Sequence, residues 1–246
     1  MISKAEINSL FDEAYALKQG EYAELPAISP PPEICANIGM CNIGRTNATS
    51  TIRYIGTSEV ISCLAVGVYN RTTHSSVVTH INITEETSFA EMRSCMESII
   101  GCAGRKDYND PLDVHIIGGT NSYVDGRGRV KQDLKTSVFR TLVAGLLQVV
   151  KEHPQAVLKT CDIDDKPHPS AFALDSHDGQ LIACSPLEPA PWREDIPFYP
   201  SVERWPEHPS PEEKQEETNV RIISGALCFD GGMKGPPRHP HPYRGR

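Results

Sequence analysis

Apolar positions along the chain follow two periods, and they divide it into helices and strands. Between residues 3 and 19, Leu10, Phe11, Ala14 and Leu17 fall near one helical face. Ser3 stands where a cap belongs and Gly20 follows the last turn, so this stretch is predicted helical. Residues 87–101 repeat the pattern with Met92, Met96, Ile99 and Ile100, and Glu91 lies at capping-box distance from Ser88. The longest helical pattern runs over 130–151, with Leu134, Val138, Leu142 and Leu146 on one face.

Strand periodicity fills the intervals. Residues 51–56 alternate, and 61–69 (Ile-Ser-Cys-Leu-Ala-Val-Gly-Val-Tyr) read as a strand buried on at least one face. A polar turn over 70–75 leads to a partner strand at 76–82, which makes a β-hairpin. Further strands are expected at 113–117, before Gly118 and Gly119, at 157–162 and at 171–175. Asp178-Gly179 then marks a turn before a strand at 180–184. Val220 to Phe229 holds one more strand, or part of one. No internal repeat is present. The predicted class is α/β: a twisted, largely antiparallel sheet or sandwich with the helices packed outside.

Proline usage sets the expected limits of the folded unit. Pro26, Pro30, Pro31 and Pro32 mark an irregular connector, so 1–45 reads as a helix and linker. A core follows over 46–186. Eleven of the 20 prolines lie after Pro186, so 187–246 reads as a Pro-rich extension with a disordered end. The net charge of −8 argues against nucleic acid or an anionic membrane as the main partner. The start of the chain has neither the basic nor the apolar stretch of a secretory signal, and no apolar run could span a bilayer. A cytoplasmic location is therefore expected. Eight scattered cysteines with no C-x2-C pair are expected to be free thiols rather than disulfides or zinc ligands.

The candidate chemistry lies in the hairpin. A thiol attacks an amide carbonyl as thiolate and needs a neighbouring base. Cys63 near the start of one strand and His80 near the end of the next are placed for strand pairing to bring them together. The plainer alternative is a buried core cysteine and a structural histidine. A catalytic Cys63 should alkylate ahead of the other seven cysteines.

Ile55-Gly56-Thr57-Ser58-Glu59-Val60-Ile61-Ser62-Cys63, then Thr79-His80, then Val114 to Gly119, resemble the protein N-terminal asparagine amidohydrolase family. The chemotaxis receptor glutamine deamidase CheD shows a related pattern of Thr, Cys and His at the intervals of Thr57, Cys63 and His80. The resemblance continues weakly through Lys159-Thr160-Cys161, His168-Pro169 and 171–182, and so covers about residues 52–182. It implies a deamidase that converts a side-chain carboxamide to the acid, with Cys63 as nucleophile, His80 as base, no cofactor and no metal. The partner is a protein or peptide substrate. Thr57 then orients His80 or binds the carboxamide, or is only a turn hydroxyl. Ser62, Glu59, Asn82, Gly118 and Gly119 are the candidate substrate-binding positions, with Glu59 or Glu85 as acceptor for a free α-amine. Asn82 is also a candidate for orienting the imidazole.

Two departures bear on substrate. CheD has Gly-Ser before its cysteine where this chain has Ile61-Ser62. The asparagine family has Asp where this chain has Asn82. Three competing readings remain at this level. One is a CheD-like or toxin-like glutamine deamidase. Another is a metal-dependent nucleoside enzyme of the YfiH type using His74, His80, His115 and Cys63. The last is a non-catalytic binding module.

Overall fold

The computed structural model describes residues 2–21, 27–28, 31, 34–39, 42–58, 60, 63–83, 87–104, 110–118, 122–124, 130–132, 136–163, 171–184, 198–199 and 221–224. In chain order the elements are α1 (Lys4–Glu21), β1 (Ala27–Ile28), β2 (Cys35–Asn37), β3 (Asn42–Asn47), β4 (Tyr54–Thr57), β5 (Leu64–Asn70), β6 (Ser75–Ile81), α2 (Phe89–Ala103) and β7 (Leu112–Gly118). They continue with β8 (Ser122–Val124), β9 (Val130–Gln132), α3 (Thr136–Glu152), β10 (Ala156–Asp162), β11 (Phe172–Asp175), β12 (Leu181–Cys184), β13 (Phe198–Tyr199) and β14 (Arg221–Ser224).

Two sheets and a small ribbon result. The larger sheet has the order β10-β7-β5-β6-β3-β14-β13, the smaller β1-β12-β11-β4-β2, and β8 pairs with β9 alone. Both sheets are mixed. The expected antiparallel hairpin β5–β6 is present and continues to β7 and β3, but β10/β7, β13/β14, β1/β12 and β2/β4 are parallel. Each parallel pair needs a crossover, and α3 supplies the one between β7 and β10.

The central strands β5 and β6 of the larger sheet are buried on both faces, and β5 accordingly reads as a near-continuous apolar run. One face carries Leu64, Val66, Val68, Val77, Ile81, Val114 and Ile116 into a core with Met92, Met96 and Ile99 of α2 and Leu142, Val143 and Leu146 of α3. Leu10, Phe11 and Ala14 of α1 close the same core; the side chain of Leu17 lies outside the described set. The opposite face presents Ala65, Val78 and Ile117 to Ile55, Phe172, Leu174 and Leu181 of the smaller sheet. The layers are therefore helices, larger sheet, smaller sheet.

Helix ends follow the cap chemistry read from the sequence. Ser88 Oγ accepts from Glu91 N at 3.2 Å while Glu91 Oε2 accepts from Ser88 N at 2.7 Å. Ser3 and Glu6 form the same reciprocal pair at α1. Each such cap contributes about 1 kcal/mol. The third helix starts later than predicted. Residues 130–132 are strand, because Val130 pairs with Val124 across a Gly-containing connection, and α3 begins only at Thr136. Strand β3 crosses the expected boundary at residue 45, and β2 lies before it; both are paired into the sheets. Apart from β13 and β14, the 187–246 extension and its expected disordered end lie outside the described residues.

The end of the sheets remote from Cys63 is clipped by Tyr69. Its hydroxyl donates to the His177 carbonyl at 2.9 Å, and so accepts from Nδ1–H of His74 at 2.6 Å. Gly179 fills the expected turn at φ +76°, and an added Cβ would stand 2.3 Å from the Tyr69 ring. Only glycine provides both that φ and that close approach.

Candidate active site

Strand register decides which side chains can meet. In the β5–β6 pair, Ala65 stands opposite His80 and Leu64 opposite Ile81. Continuing one step places Cys63 opposite Asn82. Side chains alternate, so Cys63 and Ala65 share one face, and Val78, His80 and Asn82 share it across the pair. That face is the one covered by the smaller sheet. Cys63 and His80 are thus diagonal neighbours rather than a directly opposed pair, at Cα separations of about 7–8 Å. A cysteine and an imidazole can bridge that gap.

Thr57 comes from the other sheet, at the end of β4, and its Oγ1 lies 2.8 Å from His80 Nδ1. The same hydroxyl is 2.7 Å from the Ile38 carbonyl oxygen. A carbonyl cannot donate, so the single hydroxyl proton goes to Ile38 and Thr57 must accept from Nδ1–H. This fixes the tautomer of His80. Its Nε2 carries the lone pair, is buried, and has no hydrogen-bond partner among the described residues. Nε2 therefore keeps its lone pair uncommitted.

The thiol itself contacts Asn82. Cys63 Sγ lies 3.8 Å from Asn82 Oδ1, within reach of an S–H donor. The expectation that Asn82 orients the imidazole is therefore corrected: Thr57 holds the imidazole, and Asn82 touches the sulfur.

Burial sets the electrostatics. Desolvation pushes the imidazolium of His80 down from its usual range to about 4, so the ring is neutral near pH 7. The same cause pushes Cys102 up to about 12 and raises Cys95, which makes both inert as nucleophiles. They lie in the helix-side core.

Gly118 supports the segment that carries the thiol. Its φ is +102°, and an added Cβ would lie 2.5 Å from the Cys63 carbonyl oxygen and 2.4 Å from Val60 Cγ1. The sequence makes Gly118 a candidate for contact with substrate; what approaches it closely here is the Cys63 backbone. Gly118→Ala is expected to destabilise the fold by about 2 kcal/mol or more, combining backbone strain with a clash. It should also displace Cys63 in the molecules that remain folded. Thermal melting beside the Cys63 alkylation rate checks this; wild-type values for both would contradict it.

On the inner side of Thr57, the space between the sheets is a cavity of about 10 Å³ lined by Thr57, His115, Ala65 and Phe172 among others. That is room for about one water. The cavity has no room for a peptide side chain.

The histidines of the alternative metal reading are not gathered. His74 sits in the β5–β6 turn, six residues along β6 from His80, or roughly 20 Å at strand rise. His115 lies opposite Gly67, three pairs from Leu64, with Nδ1 against Thr160 Oγ1 at 3.0 Å. Among the described residues no cluster of three or more His, Cys, Asp or Glu side chains is arranged to hold a metal. Nor is any described helix long and apolar enough to cross a membrane.

Glu59, Ser62, Glu85, Gly119 and the His168-Pro169 pair lie outside the described residues. The structure adds Ile38, whose backbone carbonyl anchors Thr57. A main-chain acceptor leaves no mark in sequence. It also adds Asn37, whose Nδ2 donates to Ser58 Oγ at 3.0 Å beside the same strand ends. No protein-family model matches the chain, and no curated protein matches it.

Proposed function

We propose that the chain is a cysteine amidohydrolase that converts a side-chain carboxamide of a protein or peptide to the acid, with N-terminal asparagine as the favoured substrate. The observation that carries this reading is the chain Ile38 carbonyl–Thr57 hydroxyl–His80. It leaves Nε2 as a lone-pair base on the face that also carries Cys63. His115 Nε2 is likewise buried and without a partner among the described residues, so what sets His80 apart is its register diagonal to Cys63.

In the reaction, the Cys63 proton moves to His80 Nε2 as sulfur attacks the carboxamide carbon. His80 returns that proton to the departing nitrogen, and ammonia leaves a thioester. Water, deprotonated by His80, then cleaves the thioester and restores the thiol. Backbone N–H groups beside Cys63 are the donors for the tetrahedral oxyanion. Because burial disfavours imidazolium in the resting site, proton transfer accompanies attack rather than preceding it as a stable ion pair.

The resemblance to the N-terminal asparagine amidohydrolases motivates the substrate choice and a CheD-like fold type. A pocket sized for Asn rejects Gln weakly, since a methylene is worth about 1–3 kcal/mol. Selection for the free α-amine is stronger, because the acceptor that receives it is left unpaired by an internal residue. A peptide beginning with Asn should therefore release ammonia faster than the same peptide acetylated at its N-terminus. Equal rates, or activity only on an internal Gln of a folded protein, would move the reading to a glutamine deamidase.

A further inference from the structure

Resting on the reading of Cys63 as nucleophile, we infer that Asn82 is a positioning residue that holds the thiol proton in the resting site and then stabilises the thiolate. Three observations carry it. Cys63 Sγ lies 3.8 Å from Asn82 Oδ1, within reach of an S–H donor. The strand register, continued one step beyond Leu64 and Ile81, places the two residues opposite each other, with His80, opposite Ala65, two pairs away. His80 Nε2, the intended proton acceptor, is without a hydrogen-bond partner among the described residues. The resting thiol therefore points at an amide oxygen instead of at its base.

An amide serves both states of the sulfur. Its oxygen accepts S–H; after half a turn about its terminal bond its nitrogen donates N–H to S⁻. In the step itself the S–H bond breaks, the proton joins the Nε2 lone pair, and the electron pair stays on sulfur. The sequence also gives the position a meaning. A carboxylate here could not donate to sulfur, and its charge would oppose the thiolate. Among the described residues, strand alternation brings His80 and, farther along the strands from Cys63, His115, Tyr69 and Asp113 to the same face; burial is the main cause that shifts both histidines.

The test is the pH profile of Cys63 alkylation by iodoacetamide, with peptide mapping to separate it from the other seven cysteines. Asn82→Asp should raise the midpoint by at least about one pH unit, roughly a tenfold slower reaction at a fixed pH below the midpoint. The direct contact with sulfur outweighs any gain in basicity of the more distant His80. Asn82→Ala should move the midpoint in the same direction by less, and it serves as the test if the Asp variant does not fold. A folded variant of either kind with the wild-type midpoint, or a lower one, overturns the inference. Alkylation needs no substrate. If wild type releases no ammonia from any peptide yet the midpoint moves as stated, the amidohydrolase reading falls and the positioning role of Asn82 stands.

Discussion

Replacing Cys63 with alanine should abolish ammonia release, by at least about 10⁴-fold, while the protein stays folded. The two halves of this expectation have separate grounds. Cys63 lies just before β5, outside the helix-side core, so removing its sulfur leaves that core untouched. Of the other buried thiols described, Cys95 and Cys102 are raised by burial and lie with Cys161 on the opposite face of the larger sheet, and Cys35 packs in a separate cluster with Tyr54 and Ile182. His80→Ala should be comparably inactive, since the nucleophile and base act as a unit and their losses do not add. A folded Cys63→Ala protein with full activity would exclude the thioester route. Far-ultraviolet circular dichroism beside the ammonia assay makes the comparison.

The second large effect is on stability in acid. His80 and His115 are both buried, and desolvation pushes both to about 4 in the folded chain, against about 6.5 when unfolded. As pH falls below about 6.5, the unfolded chain takes up these protons while the folded chain does not. Stability is therefore fully present above that pH, declines through the interval, and stops declining on this account below about pH 4. Each ring contributes on the order of 3 kcal/mol across the window. Urea melts from pH 7.5 to 4 on wild type, His80→Gln and His115→Gln measure it, and each variant should show a shallower decline. Parallel curves for all three proteins would mean that neither ring is held neutral by the fold.

The hairpin bearing Cys63 and His80 was legible in the sequence because both of its strands are buried and its turn is polar. The α2 cap was legible because Ser88 and Glu91 satisfy each other's backbone within one turn. The pairing partners were not. Strands β2 and β3 are short, contain Asn, Gly and Arg, and lie among residues whose prolines suggested a linker. Only long-range pairing to β4 and β6 makes them strands, and local propensity carries no information about that. The site divides the same way. Residue type marked Cys63 and His80, and the hydroxyl marked Thr57. The register that sets Cys63 diagonal to His80, and the Ile38 carbonyl that decides the tautomer, exist only in three dimensions.

The origin of Thr57 in the opposite sheet has a consequence for when the molecule becomes competent. His80 and the Cys63 segment belong to a hairpin that can close locally. The group that chooses between the two imidazole tautomers arrives only when the smaller sheet docks. A nascent or partly opened chain carries the thiol but has no assigned proton on its base. Docking of the smaller sheet is therefore the step that fixes the His80 tautomer.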